Sequence, residues 1–330
     1  MPVRALPAVP LALALGVLVL VRAAPAMADP MSTSPEQAYD MGQLPGARAT
    51  AMGGALNALG VSTTALSLNP ANMTLARVYH IEALGAFSPE SLRQTYGLAI
   101  VDSVINSSRI AGGIEAAASG LDPNGLHRTW TDVRGALALP LGDVLTLGVA
   151  GRWLEVNQSS GAGPFGGSFA SGGDSSGPLL NTITFDAGAT AVLGGFRIGV
   201  AGHNLTNPGT ALAPTTAAGG IGYQTDVFAI EADGLLDFTT YGSTQGRVMG
   251  GGELFLAGRY ALRAGWSYAT GTGLNTPSLG FGYIDPKWSV EIAANHDIEA
   301  SHASTLFVLS LRYFYDATGA SSPADAPDTF

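Results

Sequence analysis

Tyr260-Ala261-Leu262-Arg263-Ala264-Gly265-Trp266-Ser267-Tyr268 decides the fold. Tyr260, Leu262, Ala264, Trp266 and Tyr268 are apolar, and the residues between them are small or polar. Successive side chains of a strand point to opposite faces, so this stretch reads as a strand with one greasy face. The pattern returns with Trp288, Val290, Ile292 and Ala294 against Ser289, Glu291, Ala293 and Asn295. It returns again with Phe307, Leu309, Leu311, Tyr313 and Tyr315 against Val308, Ser310, Arg312 and Phe314. Arg263, Glu291 and Arg312 fall on one face, and most of the aromatics fall on the other. That is the arrangement of a membrane barrel with lipid outside and water within.

Working outward, fourteen segments have strand character: 78–87, 92–103, 107–117, 127–139, 143–156, 181–193, 195–205, 215–224, 226–238, 245–257, 259–269, 275–284, 287–296 and 304–315. An even number suits a single-chain antiparallel barrel. Connections after even-numbered strands carry tight-turn residues: Pro140-Leu141-Gly142, Gly194-Gly195, Gly258 and Asp285-Pro286. Those after odd-numbered strands are mostly longer, above all the Gly/Ser-rich Gln158 to Leu180. Outer-membrane barrels have short periplasmic turns and long outer loops, so the first strand is expected to run outward. The last then runs inward, with Tyr313 and Tyr315 at the periplasmic aromatic girdle.

The ends and the composition agree with this. Residues 1–28 read as a secretory signal peptide: Arg4, the apolar run Leu11 to Val21, and the cleavage site Ala26-Met27-Ala28. An apolar run of that length is well short of the roughly 20 residues a spanning helix needs. Removing Arg4 and Arg22 with it takes the formal net charge from −10 to −12. An acidic chain without a basic run is a poor nucleic-acid binder. Charged residues make up 12%, against about 25% in a soluble domain. With no cysteine there is no disulfide, lipid attachment or thiol metal site. Neither a metal nor a cofactor is expected. The five histidines come with no G-x-S-x-G elbow and no H-E-x-x-H pair, so no enzyme is expected either.

Residues 29–77 lack strand alternation and need a place of their own. Gly46-Ala47-Arg48-Ala49-Thr50-Ala51-Met52-Gly53-Gly54-Ala55 is built of small residues that allow close backbone approach, and Leu68-Asn69-Pro70-Ala71-Asn72-Met73 signals a turn. A plug in the barrel mouth accounts for both. The organisation is therefore signal peptide 1–28, plug 29–77, barrel 78–315 and a periplasmic tail 316–330.

Gly46-Ala47-Arg48-Ala49 with Met52-Gly53-Gly54-Ala55, then Asn69-Pro70-Ala71 before the first strand, resembles the N-terminal signature of the FadL/PorV-type outer-membrane barrels. Gly199 to Pro208 resembles a strand-end motif of the PorV-like branch. The resemblance implies a fourteen-stranded antiparallel barrel with an N-terminal hatch in its lumen. Gly53, Gly54, Asn69, Pro70 and Ala71 would then belong to the hatch or its hinge. In the FadL branch it implies passive uptake of small hydrophobic, fatty-acid-like molecules that leave through a gap in the wall. In the PorV branch it implies a non-transporting outer-membrane partner of a secretion or surface-assembly machine. Outer-membrane lipid is the common neighbour in both.

Alternation also assigns the lumen. His80, Glu82, Arg109, Glu115, Asp132, Arg134, Arg152, Asp186, Arg197, His203, Glu231, Asp233, Arg247, Glu253, Arg263, Glu291 and Arg312 are expected to face inward. Buried charges must be paired or hydrated, which predicts an interstrand network that holds the plug.

Overall fold

The computed structural model describes residues 46–90, 92–104, 109–121, 127–159, 178–298 and 304–315. The expected signal peptide, the first part of the plug, most of the Gly/Ser-rich loop and the tail lie outside them.

Fourteen strands form the wall: β1 (Tyr79–Ser88), β2 (Arg93–Asp102), β3 (Ala111–Leu121), β4 (His127–Leu141), β5 (Leu145–Ser159), β6 (Leu180–Leu193), β7 (Phe196–His203), β8 (Thr216–Gln224), β9 (Phe228–Asp237), β10 (Gln245–Leu256), β11 (Tyr260–Ala269), β12 (Leu274–Ile284), β13 (Trp288–His296) and β14 (Thr305–Phe314). Each pairs with its chain neighbours, and β14 closes antiparallel onto β1 through Glu82↔Arg312 and Leu84↔Ser310. Closure leaves no open edge, as strands crossing a lipid core require. Among the described residues no helix is long and apolar enough to cross a membrane.

Alternation in sequence becomes alternation in exposure. Leu262, Trp266, Leu279, Ile292, Leu309 and Leu311 stand on the outer surface, while Arg263, Glu291 and Ser310 are buried inside. Aromatics gather at the tight-turn end. Tyr79 meets Tyr315 with ring centroids 5.6 Å apart, Phe196 meets Tyr223 at 4.6 Å, and Tyr283 lies against both Tyr260 and Trp288. Tyr313 and Tyr315 belong to this belt and face outward. At the other end Trp266 stacks on Tyr268. Two girdles flanking an apolar band are the mark of a barrel in a bilayer.

Most strand boundaries fall within three residues of their expected places. The exception is β3, expected at 107–117 and found at Ala111–Leu121. The link before it, residues 103–110, is the one long connection at the tight-turn end. Pro140 and Leu141 continue β4, so that turn is residues 142–144, with Gly142 at φ +71°. Ala257 and Gly258, at φ +54° and +61°, are the central residues of the turn that the Arg259 N–H closes on Leu256 C=O (3.1 Å), within a three-residue connection. At the other end the β1–β2 and β11–β12 connections have only four residues each, so the asymmetry of loop length is a tendency around the rim.

Candidate functional site: the plugged lumen

Residues 46–77 lie inside the barrel at its tight-turn half. They form α1 (Ala47–Ala51), α2 (Thr63–Leu68) and a 3₁₀ turn (Pro70–Thr74), with almost every side chain buried. Helices this short are not stable alone. They persist because the wall supplies their partners. The Ala47 N–H donates to Ser310 Oγ (3.0 Å), and Ser278 Oγ–H donates to Ala51 C=O (3.0 Å). Ser62, at φ +59°, sets its Oγ 2.6 Å from His80 Nδ1, and Thr63 donates its hydroxyl to Glu82. Arg134 donates to the Leu66 carbonyl (3.1 Å). Asn69 donates to Asn57 C=O and to Thr190 Oγ1 while accepting from the Ala71 N–H, and Thr190 donates on to Asn72.

The wall makes room for this segment with glycine. A Cβ at inward-facing Gly265 would lie 2.2 Å from the Met52 carbonyl carbon, and one at Gly148 would lie 2.3 Å from the Ala71 nitrogen. Gly199, Gly222, Gly251 and Gly280 likewise stand where a side chain would collide with residues 51–59. Reciprocally, Gly53 at φ +67° lies against the Trp266 backbone. The plug and its seat are thus shaped to each other through backbone contact.

Two ionic groups complete the seat. Arg48 reaches Glu253 (2.7 Å), which Arg263 also binds; Arg263 pairs with Glu291 (2.5 Å), and Arg312 pairs with Glu291 and Glu82 (both 3.0 Å). One chain of charges therefore links α1 to β10, β11, β13, β14 and β1. Across the lumen Arg152 pairs with Asp132 (2.6 Å) and donates to Asn204 (3.1 Å), while Asp186 lies near Arg134 (3.6 Å) and His203 (3.5 Å). Removing one partner of such a pair leaves an uncompensated buried charge, which costs about 3–5 kcal/mol.

Toward the long-loop end the lining changes character. Residues 204–215, between β7 and β8, bring Leu212 and Ala213 against Trp130, Leu154 and Val156. Asn204, at φ +52°, holds this segment by accepting from Arg152 and donating its N–H to Asp186 and its side-chain amide to Pro214 C=O. Opposite, Leu84, Ala86, Ala117, Ala293, Leu306 and Val308 form an apolar patch above Ala47 and Ala51. Beside the plug a cavity of about 20 Å³ touches Gly46, Glu82 and Glu115, room for about one water. A concavity of about 1260 Å³ is lined chiefly by outward side chains such as Phe87, Leu279, Phe281, Ile292 and Phe307. It belongs to the lipid-facing surface.

Of the residues expected to line the lumen, His80, Glu82, Glu115, Asp132, Arg134, Arg152, Asp186, His203, Glu231, Asp233, Glu253, Arg263 and Glu291 are buried on its inner face. Arg197, Arg247 and Arg312 occupy inward positions with partial exposure. Arg109 does not belong with them. It precedes β3 at φ +57° and pairs with exposed Asp143 (2.9 Å) at the rim, because the strand starts two residues later. Gly53, Gly54, Asn69, Pro70 and Ala71 all lie in the plug. Asn57 and Asn72 lie in the plug, outside any alternating strand, and alternation placed Gly265 inward without showing what it admits.

No family model and no curated protein matches this chain. Solved structures do. The toluene transporter TbuX of Ralstonia pickettii superposes with a TM-score of 0.61, at 15% identity over 84% of this chain and 100% of that one. A monoaromatic hydrocarbon channel, CymD, gives 0.62 at 17% identity over 82% and 97%. A FadL homologue from Pseudomonas aeruginosa gives 0.60 at 14% identity over 84% and 99%. This chain has the FadL-type barrel fold. At such identities the likeness is one of fold. It lends no support to the PorV branch.

Proposed function

We propose that this protein is an outer-membrane channel through which small hydrophobic molecules pass without an energy source, past a plug formed by residues 29–77. The observation that carries the reading is the lumen's two-part lining. Apolar surfaces from Trp130, Leu154 and Val156 and from Leu84, Ala86 and Val308 stand on the long-loop side of a polar seat that holds the plug. A hydrophobic molecule would first meet the apolar half. It would advance only when residues 46–77 shift, since the space beside them holds about one water. An N-terminal signal peptide delivers the chain to the membrane, with the tight turns in the periplasm. The superposed hydrocarbon channels support the choice of a small apolar cargo.

The close fastening of the plug favours a second reading, a barrel that transports nothing and serves as an outer-membrane partner of a secretion or surface-assembly machine. Purified protein in liposomes divides the two. The channel reading expects uptake of a small aromatic hydrocarbon, enhanced when residues 29–75 are deleted. Absence of uptake in both forms, with a protein recovered by crosslinking in the cell envelope, would leave the scaffold.

A further inference from the structure

The inner face of β9 carries a pair of acids held by the plug. Glu231 and Asp233 occupy successive inward positions and are 4% and 6% exposed. Their oxygens receive four hydrogen bonds from one turn of the plug. The Ala58 and Leu59 N–H groups donate to Glu231 Oε1 (2.5 Å) and Oε2 (2.9 Å), and the Asn57 N–H and side-chain amide donate to Asp233 Oδ2 (3.0 and 2.8 Å). Glu82, Glu253, Glu291, Asp132 and Asp186 each have an arginine beside them. Among the described residues Glu231 and Asp233 have none.

Asp233 Oδ1, left free by the plug, lies beside Glu231 Oε1, which keeps a lone pair after accepting from the Ala58 N–H. Both crowd the space over Gly220, where a Cβ would lie 1.8 Å from Asp233 Oδ1 and 2.9 Å from Glu231 Oε1. Asp233 Oδ1 has no partner, and neither has Asn57 Oδ1. The surrounding elements offer little compensation. β8 contributes only Gly220 and Gly222 at this level. On β10, Glu253 is already taken by Arg48 and Arg263, and Arg247 stands nearer the long-loop end. Arg197 of β7 stands level with Glu231, with Gly222 of β8 between them, and makes no ion pair with it; Asp237 of β9 accepts from the Thr239 and Thr240 N–H groups. Two ionised carboxylates so close in a poorly solvated site repel; one proton between them removes the repulsion.

We propose that Glu231 and Asp233 share one proton between Oε1 and Oδ1, and that this proton latches the plug to the wall. Its loss to solvent leaves two like charges, which separate and withdraw from residues 57–59. Asn at position 233 keeps its oxygen on the Asn57 donors and supplies an amide N–H to Glu231 in place of the proton, so the latch stays closed; Gln at 231 has one acceptor for the two N–H groups of Ala58 and Leu59, so the latch is weakened at every pH.

The chain has no cysteine, so a single introduced thiol reports plug movement in the otherwise intact protein. Buried Ala55→Cys is labelled with a membrane-impermeant maleimide, and its rate is divided by that of exposed Ser243→Cys to cancel thiol ionisation. As pH rises from mildly acidic to mildly alkaline, the ratio is expected to rise by about tenfold, as a latch weakened by about 1.4 kcal/mol requires. It should stay low and flat in D233N, and be raised and flat in E231Q. Infrared spectra of the unsubstituted protein should also show a protonated carboxyl that either substitution removes. A flat ratio in the parent, a rise unchanged in both variants, or control by calcium and chelator in place of pH would each overturn the proposal. The test reads docking alone, so failure of transport leaves its outcome meaningful.

Discussion

At the scale of single residues, the seat of the plug is defined by what is missing. Gly265→Val would place a side chain inside the Met52–Gly53 backbone, whereas lipid-facing Gly135 has nothing within 4 Å of an added Cβ. Overpacking of this kind costs about 1–3 kcal/mol. Thermal unfolding in detergent should therefore show a clear loss for Gly265→Val and almost none for Gly135→Ala, with the heat-dependent gel shift of a closed barrel retained in both. An equal response at the two positions would mean that the plug is not seated against β11. The charge chain makes a second prediction. Arg263→Met strands both Glu253 and Glu291, although Arg48 and Arg312 still touch them, so the loss should approach about 3–5 kcal/mol in chemical denaturation. Much of this was legible beforehand: alternation alone put Arg263, Glu291 and Arg312 on one face. Alternation also put Gly265 on that face, but it could not show that Gly148, Gly199 and Gly265 are glycine there to admit a backbone.

At the scale of elements, wall and connections differ in how they are written. β11, β13 and β14 announce themselves because lipid on one side and water on the other force a two-residue period. β3 slipped by four residues because Ala111-Gly112-Gly113 is small on both faces, leaving the charge of Arg109 as a misleading marker. Residues 206–214 were expected as an outer loop, yet Leu212 and Ala213 turn into the lumen. The cause is a hydrogen-bonded anchor at Asn204 that local composition does not reveal. In a background where Trp153, Trp266 and Trp288 are replaced by Phe, Asn204→Ala should expose Trp130 to a soluble quencher severalfold more than the parent does; unchanged quenching would show that the segment stays in without its anchor. The rim between β1 and β14 has its own pH dependence. Burial raises the Glu90 carboxyl, but hydrogen bonds from the Thr305 N–H (3.0 Å) and Oγ1–H (2.7 Å) outweigh it and hold it below its usual value. A depressed carboxyl stabilises the folded state above its unfolded pKa, and that contribution disappears as pH falls through the folded value. Protection of the Thr305 amide, its intrinsic exchange rate at each pH divided by the observed rate, should accordingly fall in mild acid and become independent of pH in Glu90→Gln. Protection that is flat in the parent would remove Glu90 from the rim's stability.

At the scale of the whole molecule, the barrel has two solvents, and each demands a different response to charge. Inside, acids and bases are tolerated because they meet one another and the plug. Outside, the band between the girdles has no partner to offer, so the penalty for a charge depends on depth alone. Leu279 stands at the middle of β12 and is 68% exposed, among the most open apolar side chains of the wall, whereas Tyr315 lies just past β14 in the tight-turn girdle. For the barrel in vesicles, Leu279→Arg should cost about 2–4 kcal/mol and Tyr315→Arg about 0–1 kcal/mol. The same pair in a detergent micelle, whose surface deforms to hydrate an arginine, should differ much less. A soluble barrel exposing these positions to water would show small and similar effects at both, because an exposed Leu→Arg change leaves no charge desolvated. Reversible unfolding from lipid vesicles therefore tests the membrane assignment independently of the plug, the cargo or the latch. A gradient that fell from Leu279 toward both girdles would fix which band of the wall sits in the hydrocarbon.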